Sequence, residues 1–470
     1  MTSLAVTRPV PAPVVHPLPQ ARLHAMLFGG LQAFLLILAL SRYDATSRVF
    51  RGTAEIDLFN WFWRFRWLGF LSFFDIFLAA LVSLAAVVSV LSPQRRTADG
   101  LLFLLPLLVG VGALIGYLNP VVATTAQDVL FQFRSYLYLG GAYFVATRVP
   151  WTDKRFRDLM RLLVVAAFGT VALVVVENLY LPPESRVWKY GRFAALRDVA
   201  DFSILLFALV FLAALVLSGR PRRKIYRLAV LVIVGWSVWS VVTGVGKGPV
   251  FVVASSLIYL AISYRLHRRP WMVASAIVLA AAAAGAVLWF LTVRPMIEPG
   301  SPLYVYTTFR ADDGSVATRA AELRNLTANL DRRNGWLWGI GLGNRWYEYV
   351  EQPEDPGAFQ EHEQGQPWHL GMHVPLARLV LDFGLVGLGL LLAVLAVRFR
   401  RSWRLLRRGD LNATTRACIH AAGLAVAYEL VVSSLSVPKG ALLAGILLGA
   451  LAGLERAHRG GAGSPSPETS

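Results

Sequence analysis

The chain has 470 residues, of which 56% are hydrophobic and only 16% charged, and its mean hydropathy is +0.54. A soluble protein carries roughly a quarter charged residues, so this composition excludes an ordinary soluble enzyme. The formal net charge of +18 is better explained by basic cytoplasmic loops of a membrane protein than by nucleic-acid binding, and the single cysteine, Cys418, excludes an internal disulfide.

Residues 1–24, rich in Pro and Val at their start, lack the features of a signal peptide and read as a disordered cytoplasmic tail. Apolar runs then recur near the ~20 residues needed to cross a bilayer. They are too long and too uniform for barrel strands, so the expected fold is all-α, a polytopic bundle. About twelve spans are expected, with cores near 25–41, 68–91, 100–118, 129–147, 159–178, 199–218, 226–243, 249–264, 271–293, 378–397, 415–434 and 438–454. Nine fall within 25–293 and three within 378–455, on either side of a large outer loop, 294–377, expected to contain short helices. Residues 456–470 read as a second disordered cytoplasmic tail.

With the N-terminus inside, the basic groups at Arg95–Arg96, Arg148–Arg157, Arg220–Lys224, Arg265–Arg269 and Arg398–Arg408 all fall in short inner loops. Other cations then lie on the outer side, where topology does not require them: Arg192 and Arg197 before the sixth span, Lys247 in the outer turn Gly246-Lys247-Gly248, and Arg310, Arg319 and Arg324 in the long loop. Cations gathered there call for an anion such as a phosphate. Arg64 and Arg66, set among Trp61, Trp63 and Trp67, read instead as an interfacial anchor.

Within the loop, Ala320, Leu323, Leu326 and Leu330 have helical spacing, which predicts an amphipathic helix ended by Arg332-Arg333. Gly339, Gly341 and Gly343 follow and predict a flexible turn; no strand precedes them, so this is no dinucleotide fingerprint. His369 and His373 stand before the tenth span and suit proton transfer near neutral pH. His362, Glu363, His369 and His373 do not have metal-site spacing, so no metal and no cofactor are expected, with cations taking the electrostatic role.

The sequence Thr318-Arg319 through Gly339-Ile340-Gly341-Leu342-Gly343-Asn344, followed by Met372-His373-Val374-Pro375-Leu376 and Asp382-Phe383-Gly384-Leu385-Val386-Gly387, resembles the motifs of the O-antigen ligase and polysaccharide polymerase superfamily of bacterial envelopes. Two positions differ from that pattern: Lys247 stands where those proteins carry Arg, and Val374 where they carry Asn. The resemblance implies an enzyme of the bacterial inner membrane, both termini cytoplasmic and the active site on the outer face. Its donor would be an undecaprenyl-diphosphate-linked glycan, and its acceptor a second glycan or lipid A–core. It implies Lys247 and Arg319 on the diphosphate, with Arg192 or Arg197, and His373 as the base that deprotonates the acceptor hydroxyl. Arg310, Arg324, Gly341, Gly343 and His369 would line the substrate site. A transporter or flippase for lipid-linked glycans is the alternative, built on the intramembrane carboxylates Asp75, Glu177, Asp201, Asp382 and Glu429.

Overall fold

The computed structural model describes residues 18–41, 71–91, 100–118, 126–180, 199–218, 314–350, 368–369, 374–408, 411–431 and 438–460, with scattered positions between 232 and 264. These residues are predominantly helical. The elements are α1 (Leu18–Leu40), α2 (Phe73–Leu91), α3 (Gly100–Leu118), α4 (Ala126–Arg148), α5 (Asp153–Tyr180) and α6 (Val199–Leu217). There follow α7 (Gly314–Arg332), the short strands β1 (Trp346–Tyr347) and β2 (Trp368–His369), then α8 (Pro375–Leu406), α9 (Ala413–Val431) and α10 (Pro438–Gly460).

Among the described residues, six helices are long and apolar enough to cross a membrane: α1, α2, α3, α5, α8 and α10. Two expected boundaries shift. Helix α1 begins at Leu18 and α10 runs to Gly460, so both take in residues expected to belong to disordered tails. In α1 the apolar pattern already starts at Leu23 and Leu27, which pack into the core. In α10 the ionic contacts of Glu455 and His458 carry the helix past its apolar part.

The helices alternate in direction, and ionic contacts tie one set of ends together. At this basic end the His458 imidazole meets Asp153, Arg408 donates to the His458 carbonyl, Arg157 donates to Thr415, and Arg456 donates to the Thr147 carbonyl. These contacts gather the end of α4, the start of α5, the end of α8, the start of α9 and the end of α10. At the opposite end the fully buried Lys439 ammonium donates to the Ser41 carbonyl at 2.6 Å, joining the start of α10 to the end of α1.

Among the described helices, α10 packs most extensively on α4. Gly445, Gly449 and Gly453 recur every four residues along one stripe of α10. A Cβ at Gly445 would lie 2.5 Å from the Leu139 carbonyl oxygen, and one at Gly449 2.7 Å from that of Tyr143. This is the small-residue stripe that lets membrane helices approach closely, where apolar burial alone offers little gain over lipid.

Candidate functional site

The long polar segment is fastened to the bundle through a break in α8. At Gly384 the backbone takes φ 68° and ψ −173°, a conformation that costs an L side chain energy but not glycine. The break strands backbone groups on both sides, and in an apolar surrounding each unpaired group would cost several kcal/mol, on the order of 2–7. The glycine turn supplies the partners. The Leu385 amide donates to the Trp336 carbonyl at 2.8 Å and the Val386 amide to the Leu337 carbonyl at 3.1 Å. The Ile340 amide donates to the Leu381 carbonyl at 2.7 Å.

The turn is clamped from two further sides. The Leu342 amide donates to the Gly112 carbonyl of α3 at 2.8 Å, and the Gly343 amide donates to the Gln132 Oε1 of α4 at 2.7 Å. Gly339, Gly341 and Gly343 all have positive φ, 78°, 88° and 87°. A side chain at Gly341 would collide with the Gly116 backbone, and one at Gly339 would lie 2.6 Å from the Leu381 carbonyl oxygen. The turn expected to be flexible is therefore a buried, tightly fitted joint, because its glycines serve close backbone contact rather than mobility.

Beneath it sits a buried ionic group. The Arg378 guanidinium pairs with Asp382 one helical turn on, through Nη2 to Oδ1 at 2.9 Å and Nε to Oδ2 at 3.1 Å. The Tyr136 hydroxyl of α4 donates to Asp382 Oδ2 at 3.1 Å, and its ring packs edge-on against Phe383. Gln132, one turn before Tyr136, is also buried, and its Nε2 has no hydrogen-bond partner among the described residues. A second ionic group lies on the other face of α4. There Arg134 pairs with Asp75 and donates to the Tyr138 hydroxyl and Ser72 Oγ.

Helix α7 packs differently from the expected apolar face. Leu326 and Leu330 are buried, but Ala320 and Leu323 face out, and the buried stripe is completed by Asn325 and Asn329. Those two amides read the backbone of the following segment. Asn329 accepts from the Tyr347 amide and donates to the Tyr347 carbonyl, and Asn325 does the same with Val350. Each Asn thus takes the place of a neighbouring strand, which satisfies backbone groups that would otherwise be orphaned. On the far side β1 pairs antiparallel with β2, Trp346 opposite His369.

Of the expected site residues, Gly341 and Gly343 form the joint with α3, α4 and α8. Arg324 is exposed on α7; Arg319 lies on the same helix one turn and a half earlier. His369 is held in β2. Lys247, Arg192, Arg197, Arg310 and His373 lie outside the described residues, but Val374, next in sequence to His373, caps α8 and packs against the cluster of Leu326, Leu330, Ile340 and Trp346. Arg332 stacks on the Tyr349 ring at 3.9 Å, and burial pushes the Arg333 guanidinium below its ordinary pKa.

Sequence reasoning missed Arg134, Gln132 and Tyr136, and gave Arg378 no role. The available signal was polar groups inside apolar spans, with Arg378 and Asp382 spaced four apart as an ion pair on one helix face. Among the described residues no group of three His, Cys, Asp or Glu side chains could hold a metal ion. No protein-family model matches the chain, and no curated protein matches it.

Proposed function

We propose that the protein is a membrane glycosyltransferase that moves a glycan from an undecaprenyl-diphosphate carrier to an acceptor hydroxyl, as an O-antigen ligase or polysaccharide polymerase does. The observation that supports this most is the convergence of three distant segments on one joint. The Arg319-bearing helix α7 grips β1 through Asn329 and the following Val350 through Asn325, β1 pairs with β2 at His369, and the glycine turn completes the broken helix α8, which begins two residues after His373. Of these, α7, the glycine turn and the start of α8 carry the motifs that resemble that superfamily.

The chemistry is a single displacement. The acceptor oxygen attacks the anomeric carbon as the carbon–oxygen bond to the diphosphate breaks. His373 takes the hydroxyl proton, and the configuration inverts. Negative charge grows on the leaving diphosphate, where Arg319 and Lys247, with Arg192 or Arg197, hold it. Cations fixed there favour the transition state over the bound donor, which is what raises the rate.

The test uses purified protein in vesicles with a synthetic undecaprenyl-diphosphate oligosaccharide, reading glycan product and released carrier together. Arg319→Ala is expected to lower turnover about ten- to a hundredfold, as loss of one charge-assisted hydrogen bond does. Arg404→Ala, exposed at the basic end, is expected to leave it unchanged. Equal effects of the two would overturn the assignment of Arg319.

The buried Arg378–Asp382 pair and the break at Gly384 favour a second reading, transport of a lipid-linked glycan. In the same vesicles a transporter moves the intact donor across the bilayer and releases no carrier.

A further inference from the structure

We infer that the turn 335–344 is a re-entrant element whose tip, Leu337 and Trp338, inserts into the acyl chains of the bilayer leaflet at the loop end of the bundle. The turn meets both spans short of their ends. It meets α8 at Leu385 and Val386, about 15 Å along the helix from Pro375 at ~1.5 Å per residue. It meets α3 at Gly112, about 9 Å short of that helix's end at Leu118.

At that depth its side chains face outward. Leu337 is 58% exposed and Trp338 54%, beside Leu385, itself 49% exposed on the span Leu376–Leu406. Leu114, Tyr117 and Leu118 of α3 are also exposed. Charge marks the limits of the insertion. From Gly335 to Asn344 there is no acidic or basic residue, and the flanks are Arg332, Arg333 and Arg345, suited to the headgroup layer.

Non-helical backbone is tolerated at such depth only when protein satisfies its polar groups. Here the amides of Gly339, Ile340, Leu342 and Gly343 and the carbonyls of Trp336 and Leu337 are all bonded to protein. The Trp336 indole N–H donates to Asp331, which ties the base of the tip to the polar side. The inference does not depend on which substrate the protein uses.

Single cysteines at Leu337, Trp338, Leu385 and Thr327 test it, each carrying a nitroxide label on full-length protein in phosphatidylethanolamine–phosphatidylglycerol vesicles. Native Cys418 is fully buried and is left in place or replaced by Ala. Labels at 337 and 338 are expected to match 385, with relaxation by dissolved oxygen exceeding relaxation by a water-soluble nickel chelate severalfold. The Thr327 label, on the exposed face of α7, serves as the aqueous reference. Labels at 337 and 338 that respond more to nickel than to oxygen would overturn the insertion, as would an aqueous label at 385. Leu337→Ser, which keeps the backbone joint, is expected to fold and to leave the 338 label lipid-exposed; a 338 label that turns aqueous in this variant would count against a backbone-held insertion.

Discussion

A guanidinium and a carboxylate four residues apart inside an apolar span are costly to bury singly and much less so as a pair. Arg378 and Asp382 are placed to exploit this, and Tyr136 supplies the additional hydrogen bond that a buried carboxylate requires. Asp382→Ala is therefore expected to destabilise the protein by about 3–5 kcal/mol, because it leaves a buried arginine uncompensated. Combining it with Arg378→Met is expected to recover most of that loss. Thermal unfolding of the single and double variants in nanodiscs measures the coupling; strictly additive losses would mean that the pair does not act as a unit. The spacing of Arg378 and Asp382 is visible in the sequence. Their partner Tyr136 is not, because it lies 246 residues from Asp382 and only the packing of α4 on α8 brings it there.

At the scale of elements, α8 and the glycine turn make one structure, each completing the other's hydrogen bonds. Gly384→Ala imposes a strained φ and a collision with the Leu337 backbone. It is expected to release the joint, so that the amides of Ile340, Leu342, Leu385 and Val386 exchange with solvent deuterium at least tenfold faster while the α4–α10 interface is unchanged. Unaltered protection at those four amides would mean that the break does not hold the turn. Apolar length and turn residues gave α3 its observed limits and came within three residues of those of α4, α6 and α9, whereas α1, α5, α8 and α10 run well beyond their expected apolar cores. The break was not legible, since Gly384 in an apolar run reads equally well as a continuous helix. Nor was the buried face of α7, because apolar spacing favoured Ala320 and Leu323, whereas unsatisfied backbone in residues 347–350 selected Asn325 and Asn329.

Across the whole molecule, side-chain contacts gather five helix ends at one end of the bundle. Arg155, Arg157, Arg398, Arg408, Arg456 and Arg459 cluster where five helix ends meet, and the glycine joint with the start of α8 lies at the other end. What joins Arg319, the glycine turn and His369 was not legible in the sequence, because it depends on side-chain amides gripping backbone. The most direct measurement is complementation of a strain lacking this protein with wild type and with His373→Ala, resolving carrier-linked and surface polysaccharide on one gel. Glycan transfer with His373 as base predicts long surface glycan only with wild type, and accumulation of carrier-linked units with a normally expressed variant. Equal restoration by both would contradict it and leave His373 a structural residue at the mouth of α8.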